Sequence, residues 1–268
     1  MGLARNAGPA QWILEPEAEP TLRALGLRGD LIKIMHRDLG RQGIERGVAE
    51  YAIHEATETP SIVGRLVGKG RHDELTEEAY VVIDGVDGRV HHVRFTDTSG
   101  IEHTPHPGGI VELRHLEDGT TDGPRSVLAV RSDLTITAQV SATGATWLDY
   151  QLVARERSTL ASGGFGAEVH GALDARIEHL TRQGLARRQG QRVVFASDLL
   201  GTLRRRELDE VTTRLTSQTG LPHRALAEGD TVAGIYSRRI NLASGRFAMI
   251  DDGLGFSLVP WRPALERR

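Results

Sequence analysis

Hydrophobic and polar positions change rhythm several times along this chain. From Ser61 the period is two: SIVGRLVGKG, AYVVIDGVDGRVHHVRF (79–95), GGIVELRHL (108–116) and RSVLAVRS (125–132) are strand-length runs separated by turn residues. Val81 and Ile83, then Val90, Val93 and Phe95, supply apolar faces, and Gly85–Gly88 is a hairpin connection. Such closely spaced short strands predict a small SH3-like or OB-like β-barrel over 58–132, with LEDGTTDGP (116–124) as a loop. After Pro222 the same rhythm returns in TVAGIYSRRINL (231–242), GRFAMIDDG (245–253) and LGFSLVPW (254–261), predicting a second small barrel or sheet over 226–265.

Between the two strand-rich stretches the period lengthens. Residues 133–158 put Trp147, Leu148 and Leu152 on one side of a helix, and SGGFG (162–166) reads as a flexible end to a helical connector over 133–166. AEVHGALDARIEHLTRQ (167–183) is a further helix. GLARRQGQRVVF (184–195) is a turn and a two-stranded ribbon about Gly190-Gln191, and ASDLLGTLRRRELDEVTTRL (196–215) is amphipathic. At helical spacing Leu200, Leu203, Leu208, Val211 and Leu215 share a face, Arg205 and Arg206 fall opposite, and Arg204 lands inside the apolar sector. Helix, ribbon and helix predict a winged-helix-like unit over 167–222.

The opening of the chain echoes this unit. GLARNAGPAQWIL (2–14) reads as a hairpin anchored by Trp12, and Thr21-Leu22-Arg23 follow it as Thr202-Leu203-Arg204 follow the later copy. Residues 15–40 carry helix spacing, and 40–60 read as a polar, glycine-punctuated linker with one short strand at Tyr51–His54. We expect 1–45 to be a truncated winged-helix-like unit, as if the chain began inside a domain. YVVIDGVDG (80–88) also matches FAMIDDGLG (247–255), with Val63-Gly64 and Ala233-Gly234 upstream of the respective copies. The fold class expected is α+β: winged-helix-like units alternating with small SH3-like or OB-like β-barrels, in a degenerate duplication.

Composition refines this picture. The 268 residues contain no cysteine, which excludes disulfides, thiolate metal sites and cysteine nucleophiles. No apolar run reaches membrane-spanning length and no secretory signal pattern opens the chain, so a cytoplasmic protein without membrane insertion is expected. The net charge of −3 conceals an asymmetry: residues 151–268 hold 18 arginines against 13 acids, and residues 1–150 hold 15 basic residues against 23 acids. Lys33 and Lys69 are the only lysines, so positive charge is nearly all guanidinium, the group suited to bidentate phosphate contacts. A genome rich in G and C would produce the same preference.

Candidate chemistry is sparse. His91 and His92 are adjacent in a strand and point to opposite faces, so they do not chelate one ion together. His103, His106 and His115 lie in or near a loop without ligand spacing, and neither a His-x-His pair nor an HExxH motif occurs. Asp84, Asp87, Asp251 and Asp252 sit in hairpin turns, where Asp before Gly follows from turn geometry alone. No catalytic residue, metal site or cofactor is expected. The positive charge is more informative. Arg187, Arg188 and Arg192 lie on the ribbon and Arg205 and Arg206 on the helix after it, with nine arginines against five acids over 176–214. Lys69 and Arg71 open a basic, glycine-flanked loop (69–75) at the rim of the first barrel, the kind of position where small barrels bind nucleic acid. A solvated, partly self-neutralised surface is the plain alternative at both places.

Six segments together carry a resemblance: GRLVGKGRHDEL, AYVVIDGVDGRVHHVRF, GATWLDYQLVARE, GLARRQGQRVVFASDLLGTLRRRELDEV, TGLPHR and LASGRFAMIDDGLGFSLVPWRPALE. They look like the C-terminal region of unknown function attached to conjugative relaxases (mobilization nucleases) of Ti-plasmid type, and the likeness extends over essentially the whole chain. It implies a role in plasmid DNA transfer, where a separate N-terminal domain nicks DNA with a tyrosine beside a metal-binding histidine cluster. Tyr51, Tyr80, Tyr150 and Tyr236 have no such companions, so no catalytic residue carries over. Three functions remain open. The first is a non-catalytic module that binds and positions DNA, duplex or transfer-origin region. The second is an interaction module docking a relaxase on a type IV secretion coupling protein or on relaxosome subunits. The third is a metal-dependent phosphodiesterase using His91, His92 or Asp84.

Overall fold

The computed structural model describes residues 4–8, 11–14, 50–56, 61–71, 78–116, 125–155, 158–190, 192–227 and 229–266. The helical reading of 15–40, the linker at 40–49, the loop at 117–124 and the loop positions 72–75 lie outside them. The chain is a mixed α+β protein that divides into two compact units, Met1–Arg131 with Glu156–Asp174 and Ser132–Arg155 with Ala175–Arg268. Among the described residues no helix is long and apolar enough to cross a membrane.

The first unit opens with an antiparallel ribbon, β1 (Ala4–Gly8) and β2 (Gln11–Leu14), where the sequence places a hairpin. Its body is a curled six-stranded sheet, a half barrel. The strands are β3 (Glu50–Glu55), β4 (Val63–Arg71), β5 (Ala79–Gly85), β6 (Arg89–Phe95), β7 (Ile110–Leu116) and β8 (Arg125–Ser132), in the order β3-β6-β5-β4-β7-β8. The short strand read as part of a linker is instead an edge of this sheet, because β3 runs parallel to β6 with Ala52 beside His91 and His54 beside Val93. Period-two alternation aims Leu66, Val81, Ile83, Val93, Phe95, Val111 and Leu113 at one core, which Ala56, Ile101 and Leu128 complete. Burying each such aliphatic side chain contributes about 1.5–3 kcal/mol, so the curl follows from closing the sheet around this row.

β5 is buried along its whole length, so its other face is covered too. On that face lie Tyr80, Val82 and Asp84, and Arg65 reaches across to Asp84 with Nη2 2.9 Å from the carboxylate. Asp84 is therefore a fully buried strand residue in an ion pair, which corrects its reading as a turn residue. Its partner also contacts Glu168 at 3.2 Å and lies over the buried ring of Phe165, 4.9 Å from the centroid. Phe165 belongs to the long helix Gly164–Arg182. SGGFG is thus packed helix start rather than free connector: a Cβ on Gly166 would lie 2.5 Å from the Val86 carbonyl oxygen.

The second unit contains helices α1 (Ile136–Ser141) and α2 (Trp147–Val153), the part of α3 (Gly164–Arg182) from Ala175 onward, a ribbon of β9 (Ala186–Gln189) and β10 (Arg192–Phe195), and helix α4 (Leu199–Thr219). The antiparallel meander β11 (Ile235–Leu242), β12 (Gly245–Asp251) and β13 (Phe256–Pro260) follows. Trp147, Leu148 and Leu152 are all buried, as their spacing predicts. Thr146 and Asp149 start α2 with a reciprocal capping box, an arrangement whose loss costs about 1 kcal/mol. On α4 Leu203, Val211 and Leu215 turn inward, and the last two pack with Phe247, Met249 and Phe256 of the meander.

Two three-stranded meanders share one register. Arg65↔Asp84, Leu66↔Ile83 and Gly68↔Val82 in β4–β5 correspond to Ile235↔Asp251, Tyr236↔Ile250 and Arg238↔Met249 in β11–β12. Both ladders slip at the same place, with Val67 and Ser237 as the extra residues. The third strands follow suit, Ile83↔His91 matching Ile250↔Ser257. Even the tight spots recur. A Cβ on Gly64 would lie 2.6 Å from Ile83 Cγ2, and one on Gly234 2.8 Å from Ile250 Cγ2.

Candidate functional site

In the second unit the chain displays cations on a narrow scaffold. β9 and β10 pair Arg187 with Val194, Arg188 with Val193 and Arg192 with Gln189, and Gly190 turns the ribbon at φ +59. Side chains opposite one another on an antiparallel pair share a face. Arg187 and Arg192 therefore project on one face with exposed Val194, while Arg188 lies on the face that also holds buried Ala186. All three arginines are exposed, and none has an ion pair or hydrogen bond from its guanidinium among the described residues.

The arginines of α4 differ from one another. Arg206 is exposed without an ion pair among the described residues. Arg205 donates to Asp198 at 3.0 Å, with both side chains mostly in solvent, a pairing worth little in water. Arg204, which the sequence places in the apolar sector, lies over the Phe247 ring at 5.3 Å and so reconciles its position with its charge.

Arg176 does not belong to the basic surface counted from the sequence. It is fully buried in the second unit, paired with Asp149. Glu207 is also withdrawn: buried on α4, it accepts the N–H of Ala243 at 2.7 Å and of Ser244 at 3.0 Å. The two removals cancel, and the excess of exposed arginine over acid on this stretch survives.

In the first unit Lys69 is exposed on β4 and donates to Thr104 Oγ1 at 2.6 Å. Arg71 ends the same strand, and its side chain is outside the described residues.

Sequence reasoning missed a different constellation, at the end of the half barrel that carries the β5–β6 turn. His91 Nε2 lies 3.0 and 3.1 Å from the two carboxylate oxygens of Asp87, and His91 Nδ1 lies 3.0 Å from His54 Nε2. The two imidazoles stack at 5.2 Å with 27° between planes. These three residues and Arg89 line a cleft of about 350 Å³. The hydroxyl-bearing Ser61, Ser158 and Thr159 line it as well. Burial first, then the His91 ring, hold His54 below its ordinary value, with Asp87 pulling the other way and Arg89 adding to the depression. For Asp87 burial alone would raise the carboxyl, but the His91 hydrogen bond and charge outweigh it and hold the group below the usual carboxylate range.

The only signal for this cluster was period-two patterning at Tyr51–His54. The parallel pairing that carries His54 to a strand 37 residues later leaves no local trace. His91 and His92 do face apart: His92 is fully buried on the opposite face, stacked on Tyr80 at 5.1 Å. His91, His92 and Asp84 therefore do not converge, and among the described residues no group of three or more His, Asp or Glu is placed to hold a metal ion.

Comparison with known proteins gives one match. The family model described as a protein of unknown function (DUF3363) matches residues 1–130 and 117–268, and the chain belongs to that family. No curated protein and no solved structure matches.

Proposed function

We propose that this DUF3363 protein is a non-catalytic module that binds and positions DNA within a relaxase-like mobilization protein of conjugative plasmid transfer. The supporting observation is the ribbon: three exposed arginines without carboxylate partners among the described residues, on a β-hairpin directly after a long helix. Helix α3, the ribbon and helix α4 make up the winged-helix-like unit of this reading, and the half barrel of the first unit its SH3-like or OB-like module. Guanidinium groups held away from carboxylates keep their charge available for phosphates, whose counterions are released on binding. Phosphate contacts of this kind position a protein on DNA and leave sequence largely unread. The test is titration of duplex and single-stranded oligonucleotides with the wild-type chain and the Arg187→Ala/Arg188→Ala/Arg192→Ala variant. Equal affinities and equal salt slopes would rule the ribbon out as the contact surface.

A second reading, a docking module for a coupling protein or relaxosome subunit, draws on the exposed apolar side chains of the second meander. Ile235 is 73% and Leu254 77% exposed. Capture of such a partner that survives nuclease digestion, and is lost in Ile235→Ser/Leu254→Ser, favours this reading over the first.

A further inference from the structure

The register shared by the two meanders sets their faces side by side. In the first, Leu66, Val81, Ile83, Val93 and Phe95 share one face, and that face is the core of the half barrel. The matching positions in the second are Tyr236, Ala248, Ile250, Val259 and Trp261. Trp261 takes the place of Phe95, since its N–H donates to the Arg246 carbonyl at 2.9 Å and Arg246 corresponds to Ala79. Leu66 and Phe95 are buried, whereas Tyr236 and Trp261 are only half-buried and Arg239, in the place of Lys69, is exposed. A face that is core in one copy thus carries tyrosine, tryptophan and arginine in the other. These are the residue types that dominate binding energy at protein interfaces.

An irregularity of the strand brings the three side chains together. Residues three apart on a regular strand point to opposite sides. The extra residue Ser237 removes that offset, so Tyr236 opposite Ile250 and Arg239 opposite Ala248 share one side. Arg239 lies over the Trp261 ring, 5.0 Å from its centroid. All three converge on one acceptor, Glu266 Oε1, which is 3.0 Å from Tyr236 Oη, 3.1 Å from Trp261 Nε1 and 3.7 Å from Arg239 Nη1. Burial first, then the Glu266 carboxylate, pushes the Tyr236 phenol above its ordinary value, so the hydroxyl stays protonated and donates. Glu266 follows the 3-10 turn Pro263–Leu265, in which no residue is buried. Its hold on the three donors is a set of exposed polar contacts, each worth little in water.

We propose that this face of the second meander is a docking surface for an acidic segment of a partner protein, whose carboxylate replaces Glu266 among Tyr236, Trp261 and Arg239. The chain's own turn displays the chemistry of the ligand: a carboxylate with an apolar residue, Leu265, directly before it. Tyr236 and Trp261 contribute neutral donors and apolar ring surface, and Arg239 contributes the charged donor. Glu266 must leave for the partner to enter, which makes the turn a competitor tethered to the site. The proposal rests on the docking reading above and adds to it a partner chemistry and a surface on the side of β11 away from Ile235.

The probe is the synthetic peptide acetyl-Ala-Leu-Glu-Glu-Leu-amide, titrated into the full chain while the indole 15N–1H resonance of Trp261 is followed. Its loss in Trp261→Phe assigns that resonance. In Glu266→Ala the peptide should move it saturably, back toward its wild-type position. The affinity should be about tenfold above that of the wild-type chain, whose own carboxylate competes. The same peptide with glutamine in place of glutamate should bind about tenfold more weakly, and Tyr236→Phe or Arg239→Gln in the Glu266→Ala background should weaken the acidic peptide about five- to tenfold. Lack of a saturable shift in Glu266→Ala overturns the proposal, as does equal binding of the glutamine peptide or equal affinity in Glu266→Ala and wild type. Oligothymidylate moving the resonance where the acidic peptide does not also overturns it, by assigning the face to nucleic acid. Capture of a relaxosome partner that is lost in Ile235→Ser/Leu254→Ser and unchanged in Tyr236→Phe/Arg239→Gln overturns this surface and leaves the docking reading standing. Peptide binding as expected without any such capture supports the surface and removes the partners named in that reading.

Discussion

Arg176 grips Asp149 with two parallel bonds, Nε to Oδ1 and Nη2 to Oδ2, both at 2.8 Å and both out of reach of solvent. The remaining guanidinium donors go to backbone: Nη1 to the carbonyls of Val140 and Ala142, Nη2 to that of Gly144. Asp149 in turn accepts from the N–H and the hydroxyl of Thr146. One arginine on α3 thus ties off the end of α1 and the start of α2, satisfying groups that helix ends leave open.

Breaking this pair from one side should be severe. Arg176→Met leaves a buried carboxylate and three carbonyls without their donor, and we expect a loss of about 3–5 kcal/mol in urea unfolding. Arg176→Lys should recover only part of it, because an ammonium does not reproduce the fork. The double variant Arg176→Met/Asp149→Leu should be less damaged than the sum of its singles, since it leaves no orphan charge.

The ribbon arginines should separate by face. Arg187→Ala/Arg192→Ala removes both cations from one face, whereas Arg188→Ala acts on the other. If DNA lies against the Arg187 face, the double variant should lower the salt slope of duplex binding by about 2 and Arg188→Ala should barely change it. Fluorescence titrations at several salt concentrations decide this.

The repeated close approach predicts matched penalties. Gly64→Ala pushes a methyl toward the Asp84 carbonyl and the Ile83 side chain, and Gly234→Ala toward the Asp251 carbonyl and the Ile250 side chain. Each should cost about 1–3 kcal/mol by overpacking, with similar values for the two, read as shifts in urea midpoint.

Acidification should weaken the fold through His54. Because the folded state holds this ring below 6.5, it binds fewer protons than the unfolded chain between its folded value and 6.5. The contribution is complete above about pH 6.5 and is lost as pH falls through that window. His54→Gln should remove this component of the stability profile measured by urea melts from pH 8 to 5. The Asp87 contribution, from a carboxyl held below 3.8, is lost only in stronger acid.

What the sequence made legible follows from the range of each interaction. The strands of both meanders, the ribbon at Gly190 and the inward face of α4 stand out because period and turn residues are local. Burial of Arg176 and Glu207 was invisible, since each is satisfied by residues 27 or more positions away. Asp84 was misplaced for the same reason: Asp before Gly suits a turn, and only the structure brings Arg65 to it. The His54–His91–Asp87 relay is the extreme case, because its central contact depends on a parallel strand pairing.

The extra residues Val67 and Ser237 have a consequence for how this family can vary. Each shifts the phase of its strand by one, so excising either would regularise the ladder and swap the two sides of everything that follows toward the turn. Chain length at these two positions is therefore locked, and insertions or deletions are tolerated only in the connections between strands, where no reading frame of inward and outward positions exists to be broken.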